Sequence, residues 1–367
     1  MKILHILNEL RPSGAEVMLM LSTAEWPKYG VTAEILSTGA TPGEYAPTLQ
    51  QAGWTVHHLP FRKSPAFFFE LSRFLRREGY DAVHIHAERA FPYFALTAKV
   101  AGISCIVRTI HSAFTFSGSL RRRRALQRKL LARMGVVSTS VSKSVQQNER
   151  EHLSNETVQV PNWYNSTYFV PPTELQRSEA RQELGIVQSE FILISVSNCA
   201  PVKNHKGILE ALTMLPSTLK FRYFHIGHGL QETAEREFVN NNGLAEKVVF
   251  AGQQSDVRKY LWAADCFLMP SLYEGIGISA MEALSTGLPT ILTDVIGLRD
   301  FKEWCKNIVW TGVSGESIAE GILIMLKTSK TLLRELALDD SVLIPNIFNM
   351  QASVKTLVSI YACKPIL

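Results

Sequence analysis

The chain has 367 residues, 46% of them apolar and 19% charged, which excludes a disordered or fibrous protein and leaves room for two ordinary domains. The net charge of +5 is uneven: residues 1–165 hold 20 Lys and Arg against 12 Asp and Glu, and the remainder 18 against 21, so the front half is expected to meet an anionic partner. Five cysteines (Cys105, Cys199, Cys266, Cys305, Cys363) show no CxxC spacing, which argues against a metal cluster or disulfide framework and for a reducing compartment.

The opening "MKILHILNEL" has an apolar run too short for a signal peptide, interrupted by Asn8 and Glu9, and no stretch approaches transmembrane length. A cytoplasmic location is expected. "KILHIL" reads as a strand, Ser13-Gly14 as a turn able to face a phosphate, and "GAEVMLMLSTAEW" as a helix. The turn does not match G-x-G-x-x-G, so a dinucleotide fingerprint is absent. Strands are expected next at "TAEILST", "TVHHLP", "AVHIH", "IVRTIH", "VVSTSVS" and "TVQVPN", with helices at "SPAFFFELSRFLRREG" and "RAFPYFALTAKVAG" between them. Alternation of this kind implies a parallel, doubly wound α/β sheet. His84 and His86 fall on one face of their strand. His84 reads as a satisfied histidine near the core, His86 is open between core and site, and His111 ends its strand where a ligand would lie.

"SGSLRRRRALQRKLLARMG" reads as a cationic helix, with Leu120, Leu126, Leu130 and Leu131 toward one side. Together with Phe67, Phe68 and Phe69 it suits an anionic membrane surface through residues 121–133. The same apolar residues would equally pack on the sheet, leaving the arginines solvated. No nucleic-acid recognition module joins these basic residues, and nucleic acid is not expected as a partner.

The polar stretch from Asn162 to Gly185, with Pro171-Pro172, reads as an interdomain linker leading into a short helix. It divides an N-terminal domain (1–165) from a C-terminal one (166–345), with a last helix in 346–367. A second series of strands follows at "FILISVS", "LKFRYFHIG", "KVVFAG", "CFLMPS" and "PTILTD". Ligands of open α/β sheets bind beyond the carboxyl ends of the strands, so both domains are expected to offer loops to a cleft. Lys203, after the first of these strands, is either a diphosphate contact or a solvated lysine. Gly227, in "HIGHG", either allows close backbone approach to a ligand or makes a plain turn. "SLYEGIGISAMEALSTGLPTILTD" passes from a strand through Glu274, Gly275, Ile276 and Gly277 to a helix starting near Ile278, with Glu282 inside it and Gly287 closing it. Backbone N–H groups at such a helix start can face an anion. There is no GKS/GKT loop, HExxH or GxSxG, which removes kinases of the phosphate-loop class, zincins and α/β-hydrolases.

Together these segments resemble a family. "EGIGISAMEALSTGLPTI" is similar to the E-x7-E signature of the retaining glycosyltransferases of family GT4, which have the GT-B fold. "PSGAEVML" resembles their G-G-A-E turn, with Ser13 at the first glycine, "YDAVHIH" their D-x-V-H-x-H strand, and "VPNWYN" the start of their linker. "VSNCAPVKNHKGILEA" resembles their V-G-R-L-x-x-x-K-N segment. The resemblance implies two Rossmann-like domains and a donor that is a nucleotide-diphosphate sugar. By it, Lys203 neutralises the diphosphate with backbone N–H groups around Ile276 to Ile278, and Glu282 holds the ribose. Glu274 holds donor-sugar hydroxyls, His111 lies against the sugar, and Gly14 lets its turn approach the diphosphate. It also implies transfer with retention, no cofactor and no metal, a glycan, glycolipid or lipid-linked acceptor, and a last helix that crosses back to the front domain. Three departures stand out: Asn198 replaces the family's arginine, Ile276 its aromatic, and Trp163 a linker glycine. Asn198 keeps open a non-catalytic glycan- or partner-binding relative, and the fold a sugar-nucleotide epimerase.

Overall fold

The computed structural model describes residues 1–362, so Cys363 and the residues after it lie outside the described chain. The chain forms two compact units: Met1–Tyr164 together with the segment from Phe348 onward, and Asn165–Ile347.

In the first unit β1 (Lys2–Leu7), β2 (Thr32–Ser37), β3 (Thr55–His58), β4 (Ala82–Ile85), β5 (Cys105–Ile110), β6 (Val136–Ser140) and β7 (Val158–Gln159) form one sheet, ordered β3-β2-β1-β4-β5-β6-β7. Every pairing is parallel. All seven apolar runs expected as strands are strands. β4 and β5 are buried at every position, as strands covered on both faces must be. Helix α1 (Gly14–Leu21) follows β1. Helix α2 (Pro65–Glu78) starts where Ser64 accepts the Phe67 N–H and ends at Gly79, with Phe67, Leu71 and Leu75 buried against Phe91 and Phe94. Helix α3 (Gly118–Arg133) is the arginine-rich segment.

The second unit holds β8 (Phe191–Val196), β9 (Phe221–Ile226), β10 (Val248–Gly252), β11 (Cys266–Met269), β12 (Thr290–Thr293) and β13 (Val309–Thr311) in the order β10-β9-β8-β11-β12-β13, again all parallel. β13 is too short for its "VWT" to stand out in the sequence. Helices α4 (His205–Met214), α5 (Glu232–Asn241) and α6 (Ile278–Ser285) follow β8, β9 and β11. In each sheet the strand order reverses once, at β1/β4 and at β8/β11, and the loops leaving those strands are where such sheets hold ligands. The chain then returns to the first unit as α7 (Met350–Tyr361), which buries Val354, Leu357, Ile360 and Tyr361 and packs on β5. No helix among the described residues is long and apolar enough to cross a membrane.

Candidate functional site

In the second unit the expected residues gather at the β8/β11 reversal. Lys203 leaves β8 in a short 3-10 turn (Pro201–Lys203), and Glu274 leaves β11 ahead of α6. Their side chains meet: Lys203 Nζ lies 2.6 Å from Glu274 Oε1, which also accepts from Ser271 Oγ at 2.7 Å. The two loops are tied along the backbone, Leu272 N donating to Val202 O at 2.8 Å. Asn204, in the left-handed region, donates from Nδ2 to Pro270 O (3.1 Å) and Val313 O (2.9 Å), fixing the turn that carries Lys203.

Glu274, Gly275, Ile276 and Gly277 form the turn before α6. Gly277 caps the helix without any side-chain cap, so the first N–H groups of α6, beginning at Ile278, have no intrahelical acceptor. Ile276 is fully buried, which explains why an aliphatic side chain serves where the family pattern has an aromatic. Gly297, which sequence reasoning did not single out, holds this turn in place. Its φ is 91°, and a Cβ there would sit 2.4 Å from Glu274 O, while Glu274 N donates to Ile296 O at 3.0 Å. Glu282, one turn into α6, is half-buried, and burial pushes its pKa up to about 8.

Gly227 closes β9 against the β8 loop: a Cβ would fall 2.0 Å from Ser197 O. Asn198, in the same loop, has an exposed side chain. The structure therefore brings Lys203 and Glu274 into direct contact, frames them with residues 275–278, and leaves Asn198 and Glu282 outside that ion pair.

In the first unit Gly14 is the first residue of α1, after Ser13 in extended conformation. The Ser13 hydroxyl donates to the buried Glu16 carboxylate. His111 follows β5 and joins a file of histidines from neighbouring strands. His5 Nδ1 lies 3.0 Å from His86 Nε2, and His86 Nδ1 lies 2.8 Å from His111 Nε2. Each shared proton fixes the tautomer of the next ring, so His86 and His5 set which His111 nitrogen carries hydrogen. Burial, with the Arg108 guanidinium nearby, pushes the His111 pKa down to about 4, leaving it neutral at ordinary pH. His84 is the core histidine expected, held by Tyr361 OH (2.5 Å) and Thr109 Oγ1 (2.6 Å). Trp163 is buried and donates from Nε1 to Met18 O at 2.9 Å, which accounts for a large ring where the linker pattern has glycine.

The expectation of one solvated cationic face on α3 fails at Arg128. It is 2% exposed and paired with Glu149 (2.6 and 2.9 Å) and Glu88 (3.1 Å), with Arg108 sharing Glu88. Leu131 joins the core, whereas Leu120, Leu126 and Leu130 stay exposed. Phe67 is likewise core, Phe68 is partly buried beside it, and Phe69 is exposed.

The family model of glycosyl transferases group 1 matches residues 176–335, and that of the glycosyl transferase 4-like domain residues 13–163. EpsF of Bacillus subtilis (strain 168), which bears a glycosyltransferase's name, is 26% identical over 80% of this chain and 79% of its own. The Escherichia coli UDP-Gal:alpha-D-GlcNAc-diphosphoundecaprenol alpha-1,3-galactosyltransferase is 26% identical over 62% of this chain and 61% of its own. Among solved structures, Anabaena HepE in complex with UDP and glucose superposes with a TM-score of 0.84 over 99% of both chains, at 18% identity. The two family models fall on the two units, and the fold is that of GT-B enzymes; the chain belongs to the GT4-type glycosyl transferases of group 1.

Proposed function

We propose that the protein is a retaining glycosyltransferase that moves a sugar from a UDP- or GDP-sugar to a glycan, glycolipid or lipid-linked acceptor in surface polysaccharide assembly. The observation that carries this reading is the Lys203–Glu274 pair, 2.6 Å apart in front of the uncapped start of α6. Lys203 Nζ and the N–H groups from Ile276 to Ile278 supply positive charge to a diphosphate leaving group, while Glu274 accepts from donor-sugar hydroxyls. Glu282 receives the ribose. Departure of the diphosphate leaves oxocarbenium character at the anomeric carbon, and the acceptor attacks from the face the phosphate vacates, its proton passing to a leaving-group oxygen. Lysine and amides do the work of a cation, so the transfer needs no metal and no cofactor. Within the first unit, His111, neutral and oriented through His86, and Gly14 stand at strand-end turns of the kind that receive ligands.

The donor assignment is tested by a thermal-shift panel of UDP, GDP, ADP and CMP with wild type and Lys203→Ala. One nucleotide is expected to raise the wild-type melting temperature and leave the mutant unmoved. No shift with any of them refutes the donor site. Loss of a charge-assisted hydrogen bond of about 1.5–3 kcal/mol corresponds to roughly 10- to 150-fold weaker binding in Lys203→Ala.

The exposed Leu120, Leu126 and Leu130, interleaved with exposed Arg121, Arg122, Arg123, Lys129 and Arg133, suit the anionic inner face of a cytoplasmic membrane, where a lipid-linked acceptor would be found. Sedimentation with phosphatidylglycerol vesicles is expected to carry the wild type down at low salt. It is expected to leave Leu126→Asp/Leu130→Asp in the supernatant; equal sedimentation of both removes the reading.

A further inference from the structure

Behind the loop that carries Asn198 and Lys203 lies a second constellation of the second unit, made of residues far apart in sequence. Cys199 follows β8, His225 sits near the end of β9, His205 is the first residue of α4, and Glu235 lies in the first turn of α5. All four are buried, at 1%, 1%, 3% and 7% exposure respectively. One donor atom from each lies within 4.8 Å of every other. Cys199 Sγ is 3.1 Å from His225 Nε2, and His205 Nδ1 is 3.1 Å from Glu235 Oε1.

The surroundings are arranged as metal ligands require. Each imidazole turns one nitrogen into the cluster and has a serine hydroxyl on the other. His225 Nδ1 lies 3.2 Å from Ser195 Oγ, which is itself 2.5 Å from Tyr223 OH, and His205 Nε2 lies 2.7 Å from Ser197 Oγ. A hydroxyl on the outer nitrogen holds the tautomer whose inner nitrogen offers a lone pair. The carboxylate is incompletely used: among the described residues, buried Glu235 Oε2 has only the Cys199 thiol beside it. A buried oxygen of this kind is costly unless something neutralises it.

We propose that Cys199, His205, His225 and Glu235 form a closed, tetrahedral structural zinc site. One thiolate, two neutral imidazoles and one carboxylate are a zinc donor set, and their two negative charges cancel the ion's. Bonds of about 2.0–2.3 Å set neighbouring donors roughly 3.3–3.8 Å apart, so the cluster needs adjustments of about an ångström or less. On binding, zinc displaces the thiol proton of Cys199 to solvent. His205 Nδ1 and His225 Nε2 bind through lone pairs, with their remaining N–H groups donating to Ser197 and Ser195. The site would staple the ends of β8 and β9 to the starts of α4 and α5, a role distinct from the metal-free transfer chemistry. That it steadies the Lys203 loop for a donor rests on the function proposed above. The spacing of cysteines does not reveal the site, because a single cysteine takes part and the fold supplies the rest.

The test uses the full chain, stripped with a chelator and titrated with Zn²⁺ or Co²⁺ alone, so its outcome does not depend on donor binding. We expect one equivalent of tightly held Zn²⁺. We also expect a Co²⁺ form with intense tetrahedral visible bands and a near-ultraviolet thiolate charge-transfer band. Cys199→Ser should lose that band. A cluster of histidines alone, such as His5, His84 and His86, would give none. Should Cys199→Ser fail to fold, Glu235→Gln, close in shape, is expected to bind Zn²⁺ at least tenfold more weakly. Absence of stoichiometric Zn²⁺ or Co²⁺ binding overturns the proposal. So does a thiolate band that survives Cys199→Ser, or an unchanged Zn²⁺ affinity in Glu235→Gln.

Discussion

Glu282 is a carboxyl whose burial, with no compensating cation, raises its pKa from an ordinary 4.5 to about 8. The sign of the consequence follows from linkage. In the unfolded chain the group ionises above about 4.5, and in the folded chain only above about 8. Folding therefore opposes ionisation, and stability falls as pH rises through that window, levelling off above it. Glu282→Gln removes the ionisation. The mutant is expected to gain melting temperature relative to wild type steadily from pH 5 to pH 8, read from paired thermal melts. A constant difference between the two proteins would mean an unshifted carboxyl. The positions of Lys203, Glu274 and Glu282, each just past a strand end or beside a glycine turn, are legible in the sequence; the roles proposed for them come from the family resemblance. The Lys203–Glu274 contact is not, since 71 residues separate the partners and it takes the β8–β11 pairing, with the loop ties it permits, to bring them together.

At the scale of elements, the loop that holds Glu274 is set from outside itself. Gly297, after β12, lets the chain press onto the Glu274 carbonyl. Gly297→Ala places a side chain at a φ of 91° and within 2.4 Å of that oxygen, so the loop must shift. A cost of about 1–3 kcal/mol is expected, seen as a melting temperature lower by several degrees, with weakened binding of the same nucleotide that stabilises wild type. Unchanged stability and binding would show that the glycine is dispensable. Strands and helices were readable because parallel strands buried on both faces write themselves as apolar runs, and caps such as Ser64 and Gly79 mark a helix at both ends. β13 escaped because three residues carry no period, and Gly297 because its role is a contact with a loop 23 residues earlier in the chain. Arg128 misled for a related reason: nothing local distinguishes a buried, twice-paired arginine from its solvated neighbours on α3.

For the molecule as a whole, the decisive feature is that one unit is continuous and the other is not. Helix α7 contributes Val354, Leu357, Ile360 and Tyr361 to the core of the first unit, and Ser353 Oγ donates to Pro161 O at 2.9 Å. Ending the chain after residue 347 deletes that helix while leaving every strand of the second unit in place. Limited proteolysis of the truncated protein should cut within residues 1–164 much faster than in the full chain, and cut no faster within 165–347. Equal resistance of both regions would mean that α7 is an accessory. A domain ordinarily folds as its own segment emerges from the ribosome, the earlier one first. Here the order inverts: residues 165–347 have every element of their unit while residues 1–164 still await a helix that has not been made. Throughout that interval His84 lacks the Tyr361 hydroxyl and β5 lacks its cover. The half of the protein synthesised first is the half finished last, and its nascent form is the one that needs shelter.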